Sequence, residues 1–153
     1  MPLRADFNPM KASRFLPDIV LTGLQDGAEP KFLVRLAGSA VEARIQRKIS
    51  GANYLDHVSP EVAQSVVSST RQMLELPCGL WQIMPAHYER GFAQYMELTA
   101  FPLAHEEGRA PLLLCLVRFP EALLVPKQVS GKAMLVDTAT HYRYIDTGCG
   151  VPG

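Results

Sequence analysis

Four histidines and three cysteines are the side chains best able to do chemistry in this chain. One histidine stands beside a carboxylate: Asp56-His57, within GANYLDHVSP. An Asp that orients an imidazole is a general acid–base unit, so this pair is the candidate catalytic centre. His87, His105 and His141 are scattered, and no HxxxH or HxxE spacing joins them into a metal site. His105-Glu106-Glu107 falls in a turn-rich stretch and reads as a solvated hairpin tip. Cys78, Cys115 and Cys149 are odd in number and far apart, with no CxxC pair. They read as buried or idle thiols of a reducing compartment, not as a disulfide framework or a structural zinc site. No GxSxG, Walker or dinucleotide fingerprint is present. GLQDGAEPK brings two glycines near a lysine but lacks the GK[ST] end. The catalytic option therefore reduces to a small cone-shaped α+β isomerase or hydratase using Asp56 and His57.

Length and charge narrow the field further. A chain of 153 residues, 48% hydrophobic and 20% charged, builds one domain with a real core. Fifteen basic groups balance fifteen acidic ones, which argues against a nucleic-acid or anionic-membrane partner. No run of eighteen apolar residues predicts a membrane span. MPLRADFNPMKASRF lacks the apolar core of a signal peptide, so the cytoplasm is the default location.

The elements that must position these groups follow from pattern. Leu16 to Leu24 is apolar and β-branched and reads as a strand; Gln25 to Pro30 is a turn; Lys31 to Gly38 alternates as a second strand. Ser39 with Glu42 three residues on fits a capping box, opening a helix that ends near Gly51. Residues 52–59 read as a short turn or one-turn helix. Ser59-Pro60-Glu61 is a strong helix start, and Val62, Val66, Ser69, Met73 and Leu76 line one face up to Pro77. Three strands follow: Cys78 to Pro85, Phe92 to Leu103, and Leu112 to Phe119, the last two joined by a turn over 104–111. Pro120 to Gly131 is a connection, and 132–146 forms another strand or strand pair. The order predicts an α+β fold with one antiparallel sheet and helices on one face. Cone-shaped enzymes usually carry more helix before the sheet, so this order also disfavours the Asp56–His57 enzyme.

This order resembles a PAS domain. RFLPDIVL followed by FLVRLAGSAVEARIQRKISG is similar to the opening hairpin and first helix of that family, YLDHVSPE to the turn before its long helix, and YMELTAFPLAHEEG with LLLCLVRF to its last hairpin. More narrowly, the chain resembles stand-alone PAS-type proteins seen mainly in alphaproteobacteria. The resemblance implies a PAS-like five-stranded antiparallel sheet over residues 14–119, a lead over 1–13, and a partly strand-like C-terminal extension over 120–153. It implies a cytoplasmic sensing and interaction module that acts in trans on a signalling partner, with a homodimer as the expected assembly.

The resemblance also fixes strand phase. Residues an even number of places before the strand-end Pro102 point inward, which sets Gln94, Met96, Leu98 and Ala100 inside and Tyr95, Glu97, Thr99 and Phe101 outside. Leu113, Cys115 and Val117 face in from the last strand; Ile19, Leu21, Val34 and Leu36 do so from the first hairpin. Ile45, Tyr54, Leu55 and Val66 cover them from the helical side, and Gln94, Tyr54, Arg35 and His57 are the polar candidates. The interior is then either a filled core or the pocket of a mainly apolar ligand. The outer face gathers Trp81 or Ile83 with Tyr95, Phe101, Leu114 and Leu116 into an apolar patch, to be covered by residues 1–15, by the tail at 129–146, or by a second subunit.

No cofactor is identified, and both common ones are disfavoured. Flavin photochemistry in this family needs a reactive Cys in an Asn-Cys-Arg motif, and GANYLDHVSP has none. A haem PAS needs an axial His on the long helix; residues 60–76 contain none, which leaves only His57 just before it.

Overall fold

The computed structural model of the chain describes residues 1–88, 93–106, 108–120 and 133–153. Phe92, the hairpin-tip Glu107 and the connection over 121–131 lie outside the described residues. Among those described, seven strands form one antiparallel sheet. They are β1 (Ile19–Gln25), β2 (Lys31–Ala37), β3 (Gly79–Tyr88), β4 (Ala93–Leu103), β5 (Leu112–Arg118), β6 (Ala133–Val136) and β7 (His141–Ile145). The main order is β2-β1-β5-β4-β3, so the two hairpin pairs meet through β1 and β5 at the centre. The tail adds to the far edge of β3: β6 pairs with its Ala86–Tyr88 end and β7 with its Gly79–Ile83 end.

Helices cover one face. Helix α1 (Ser39–Ile45) follows β2, a 3-10 turn occupies Tyr54–His57, and α2 (Pro60–Glu75) follows it. Ser59 caps α2 as expected, its hydroxyl accepting from the Val62 N–H at 3.3 Å. The buried stripe of α2 is Val62, Val67, Thr70 and Met73, with Val66 and Ser69 only half-buried beside it. Helix α1 departs from expectation at both ends. Gly38 is its N-cap, and Glu42 closes no capping box: its Oε1 accepts from the N–H groups of Ile49, at 3.0 Å, and Ser50, at 3.4 Å. The helix stops at Gln46, which takes a left-handed conformation (φ 52°), well before Gly51. That early stop releases Arg47–Asn53 to lie along the free edge of β2. There the Ala52 carbonyl, Asn53 Oδ1 and Ser50 Oγ accept from Val34, Phe32 and Ala37 N–H groups. The edge is thus closed to pairing with another chain.

Strand phase agrees with expectation in β4 and β5 and departs from it in the first hairpin. Ala100 pairs with Cys115 and with Leu80, all buried on the inner face. In β1 the inward residues are Val20, Thr22 and Leu24, because Val20 lies opposite Cys115. Ile19 is buried but faces the other way with Leu116, and Leu21 faces out with Leu114. Leu36 is not an inward residue. Leu21 pairs with Leu36 but Thr22 pairs with Val34, so Arg35 is an extra residue in β2. This bulge inverts the alternation: Val34 points in, whereas Leu36 points out and is 52% exposed. Arg35 is likewise exposed and stands outside the interior.

The outer face carries apolar rows across four strands. Leu36, Leu21, Leu114 and Phe101 form one row, and Ile19, Leu116, Thr99 and Trp81 the next. The Phe101 ring lies over Gly79, where an added Cβ would sit 2.6 Å from its Cε1. Trp81 donates through Nε1–H to Glu97 Oε1 at 2.8 Å and lies under the Arg143 guanidinium. The N-terminal residues tie to one end of this face and return past its other end, where Arg118 lies over the Phe15 ring. Pro2 O accepts from Ala104 N–H at 2.8 Å, and Arg4 N–H donates to Ala104 O at 2.7 Å. The tail strands extend the sheet instead of lying across the patch.

Candidate functional site

Apolar side chains alternating inward from a twisted sheet need a helical layer whose own side chains fill the space above them. Here they leave a cavity of about 110 Å³. Its floor is Val20 and Thr22 from β1, Phe32 and Val34 from β2, Met96 and Leu98 from β4, and Cys115 and Val117 from β5. Its roof is Val41 and Ile45 from α1, the Arg47–Ala52 loop, and Tyr54 and His57 from the 3-10 turn. Val136 of β6 closes one side. Of the residues expected around a ligand, the structure brings together Val34, Ile45, Tyr54, His57, Met96, Leu98, Cys115 and Val117. It leaves out three. Leu36 is turned out by the bulge. Val66 faces a neighbouring groove of about 510 Å³ under α2, which shares Phe32, Tyr54, Leu98 and Cys115 with the cavity. Gln94 is fully buried elsewhere and accepts at Oε1 from the Tyr88 hydroxyl at 3.4 Å.

Four polar groups interrupt the apolar wall. Thr22 is only 4% exposed, and its hydroxyl has no hydrogen-bond partner among the described residues. The Cys115 thiol is its polar neighbour. Arg47 donates from Nη1 to His57 Nδ1 at 2.9 Å, and both are half-buried. A guanidinium has no acceptor, so Nδ1 must carry the lone pair and Nε2 the proton. Tyr54 tilts against Phe32 with ring centroids 6.1 Å apart, and burial pushes its phenol above the ordinary value, with the nearby Cys115 adding to the shift.

Sequence reading missed Thr22, Arg47 and Val136. Thr22 carried a signal, a hydroxyl between Val20 and Leu24 on the inward phase of an apolar strand. Arg47 depends on where α1 stops, and no glycine marks that point. Val136 depends on a long-range return of the tail.

Burial also sets the thiol chemistry. It pushes the Cys115 pKa up to about 12, with the Thr22 hydroxyl acting weakly the other way, and it raises Cys78 as well. A thiol raised on folding adds stability below its ordinary value, near 9.0, that is lost as pH climbs toward 12. Reactivity needs thiolate. In native protein at mildly alkaline pH a thiol reagent is expected to label the exposed Cys149 rapidly while Cys78 and Cys115 stay protected, all three reacting after unfolding. Fast labelling of Cys115 in the native state contradicts its burial in the cavity wall.

The Asp56–His57 pair does not assemble as an acid–base unit. Asp56 Oδ1 accepts from Asn53 Nδ2 at 2.9 Å, while His57 turns to Arg47. Among the described residues no three His, Cys, Asp or Glu side chains cluster to hold a metal, and no helix is long and apolar enough to cross a membrane.

The family model described as "PAS domain" matches residues 1–118, and the sheet order around the cavity agrees with it. The chain belongs to the PAS domain family. PAS domains are sensory and signalling modules, typically not catalytic ones. The chain is also similar to a solved light-oxygen-voltage domain studied with a flavin analogue, at TM-score 0.54 and 17% identity, over 76% of this chain and 87% of that one. That likeness shows a shared PAS fold. No curated protein matches the chain.

Proposed function

We propose that this PAS domain is a regulator that binds a small, largely apolar ligand inside its sheet and contacts a signalling partner in trans, in the cytoplasm, without catalysing a reaction. The observation that carries the reading is the cavity: apolar, between the sheet and the helical layer, and lined by a few polar groups that include the Thr22 hydroxyl. Its volume of about 110 Å³ falls below the roughly 300–1,000 Å³ of drug-sized pockets. This favours a guest smaller than a flavin or a haem. The side chains agree. No carboxamide lines the cavity to meet a flavin ring edge, and His57 Nδ1 is already committed to Arg47. Native mass spectrometry of fresh protein with an absorbance scan tests this. Colourless protein that retains or takes up a small mass supports the reading, and a stoichiometric flavin or haem overturns it.

The partner surface is the outer sheet face, and a second copy of the chain is the occupant we assign to it. Phe101 and Leu36 stand exposed at the ends of an apolar row of the outer face. Phe101→Asp is expected to convert a dimer to a monomer in light-scattering chromatography, with unchanged far-ultraviolet circular dichroism. A wild-type monomer at high protein concentration contradicts this assignment.

A further inference from the structure

Arg47 is a half-buried cation with no acidic partner. Only Asp26–Arg71 and His87–Asp137 form ion pairs among the described residues, and Arg47 is in neither. It spends one N–H on His57 Nδ1, and a guanidinium has five. The nearest acid in the sequence, Glu42, is committed at Oε1 to the Ile49 and Ser50 N–H groups. No residue lining the cavity is acidic, so nothing there repels an anion. His57 adds a second donor, because accepting at Nδ1 leaves the proton on Nε2. Everything else in the wall except Thr22 and Tyr54 is apolar.

From this we infer that the cavity's guest is a short-chain carboxylate, with its head on Arg47 and its tail in the apolar chamber. Arginine forms forked, charge-assisted bonds to carboxylates, and these strengthen away from water. The chamber bounds the tail. A chamber of about 110 Å³ favours a short chain over a long one. The Thr22 hydroxyl, buried beside the Cys115 thiol, is a further donor for an oxygen on the guest. The inference rests on the cavity being a ligand site at all, and the test separates the two.

The probes are hexanoate and 1-hexanol, of equal chain length and different head, titrated calorimetrically into the full chain. Hexanoate is expected to bind at least about tenfold more tightly than the alcohol. Arg47→Met should erase that preference while leaving alcohol binding in place, and Arg47→Lys should restore part of it. Equal binding of the two probes, or a carboxylate preference that survives Arg47→Met, overturns the inference and leaves the cavity as a ligand site. Failure of both probes to bind overturns the cavity reading and the inference with it.

Discussion

Ala100→Asp is expected to abolish folding, whereas Phe101→Asp, its neighbour on the opposite face, leaves the domain folded. Ala100 is 2% exposed on the inner face between Leu80 and Cys115. A carboxylate there faces no cation from its cross-strand partners Leu80 and Cys115, and a thiol is only a weak donor. An uncompensated buried charge costs about 3–5 kcal/mol, and forcing extra atoms into a packed site adds to that. Domains have roughly 5–15 kcal/mol in total, so the variant is left marginal or unfolded. Phe101 gives up only its contact over Gly79 and should cost about 1–2 kcal/mol. Urea melts followed by circular dichroism compare the two. If Ala100→Asp folds normally, the strand phase that builds the cavity is wrong.

Gly38→Ala is expected to be the second largest loss. The residue's φ is −69°, so conformation is not the obstacle. The obstacle is space: an added Cβ would fall well under 3.0 Å from the backbone carbonyls of Leu16 and Pro17, where the turn over Ser13–Asp18 crosses the start of α1. Backbone cannot swing aside as a side chain can, and the Gly38 N–H is held by the Ile19 carbonyl at 2.7 Å. The N-terminal turn must lift or α1 must shift, and α1 carries Val41 and Ile45 of the cavity roof. Overpacking of this kind costs about 3 kcal/mol or more. In a chain of this size that is roughly 6–12 °C in Tm. An unchanged melting temperature contradicts the close crossing.

What could be read from the sequence depended on how local the cause was. The family resemblance, anchored on Pro102, set the phase of β4 and placed Leu113, Cys115 and Val117 inward from β5. Ser59-Pro60 fixed the start of α2, since the cap and the proline act within one turn. In β2 strict alternation was carried through Arg35, where the bulge inserts a residue and turns Leu36 out; β1 alternates regularly but one residue out of the expected phase, so Ile19 and Leu21 face out. The end of α1 was placed late because Gln46 adopts a left-handed cap that sequence associates with glycine or asparagine. The tail's return beside β3 is a contact between residues more than fifty positions apart, set by packing and by no local signal.

The space between β1, β2, β4, β5 and α1 is expected to accept a small guest. Methyl-resolved NMR during a hexanoate titration locates binding directly. Shift changes are expected to concentrate at Val20, Val34, Ile45, Leu98 and Val117, which line one cavity although they are scattered along the chain. Changes confined to Leu21, Leu114 and Leu116 on the outer face, or saturation with no methyl responding, would contradict it.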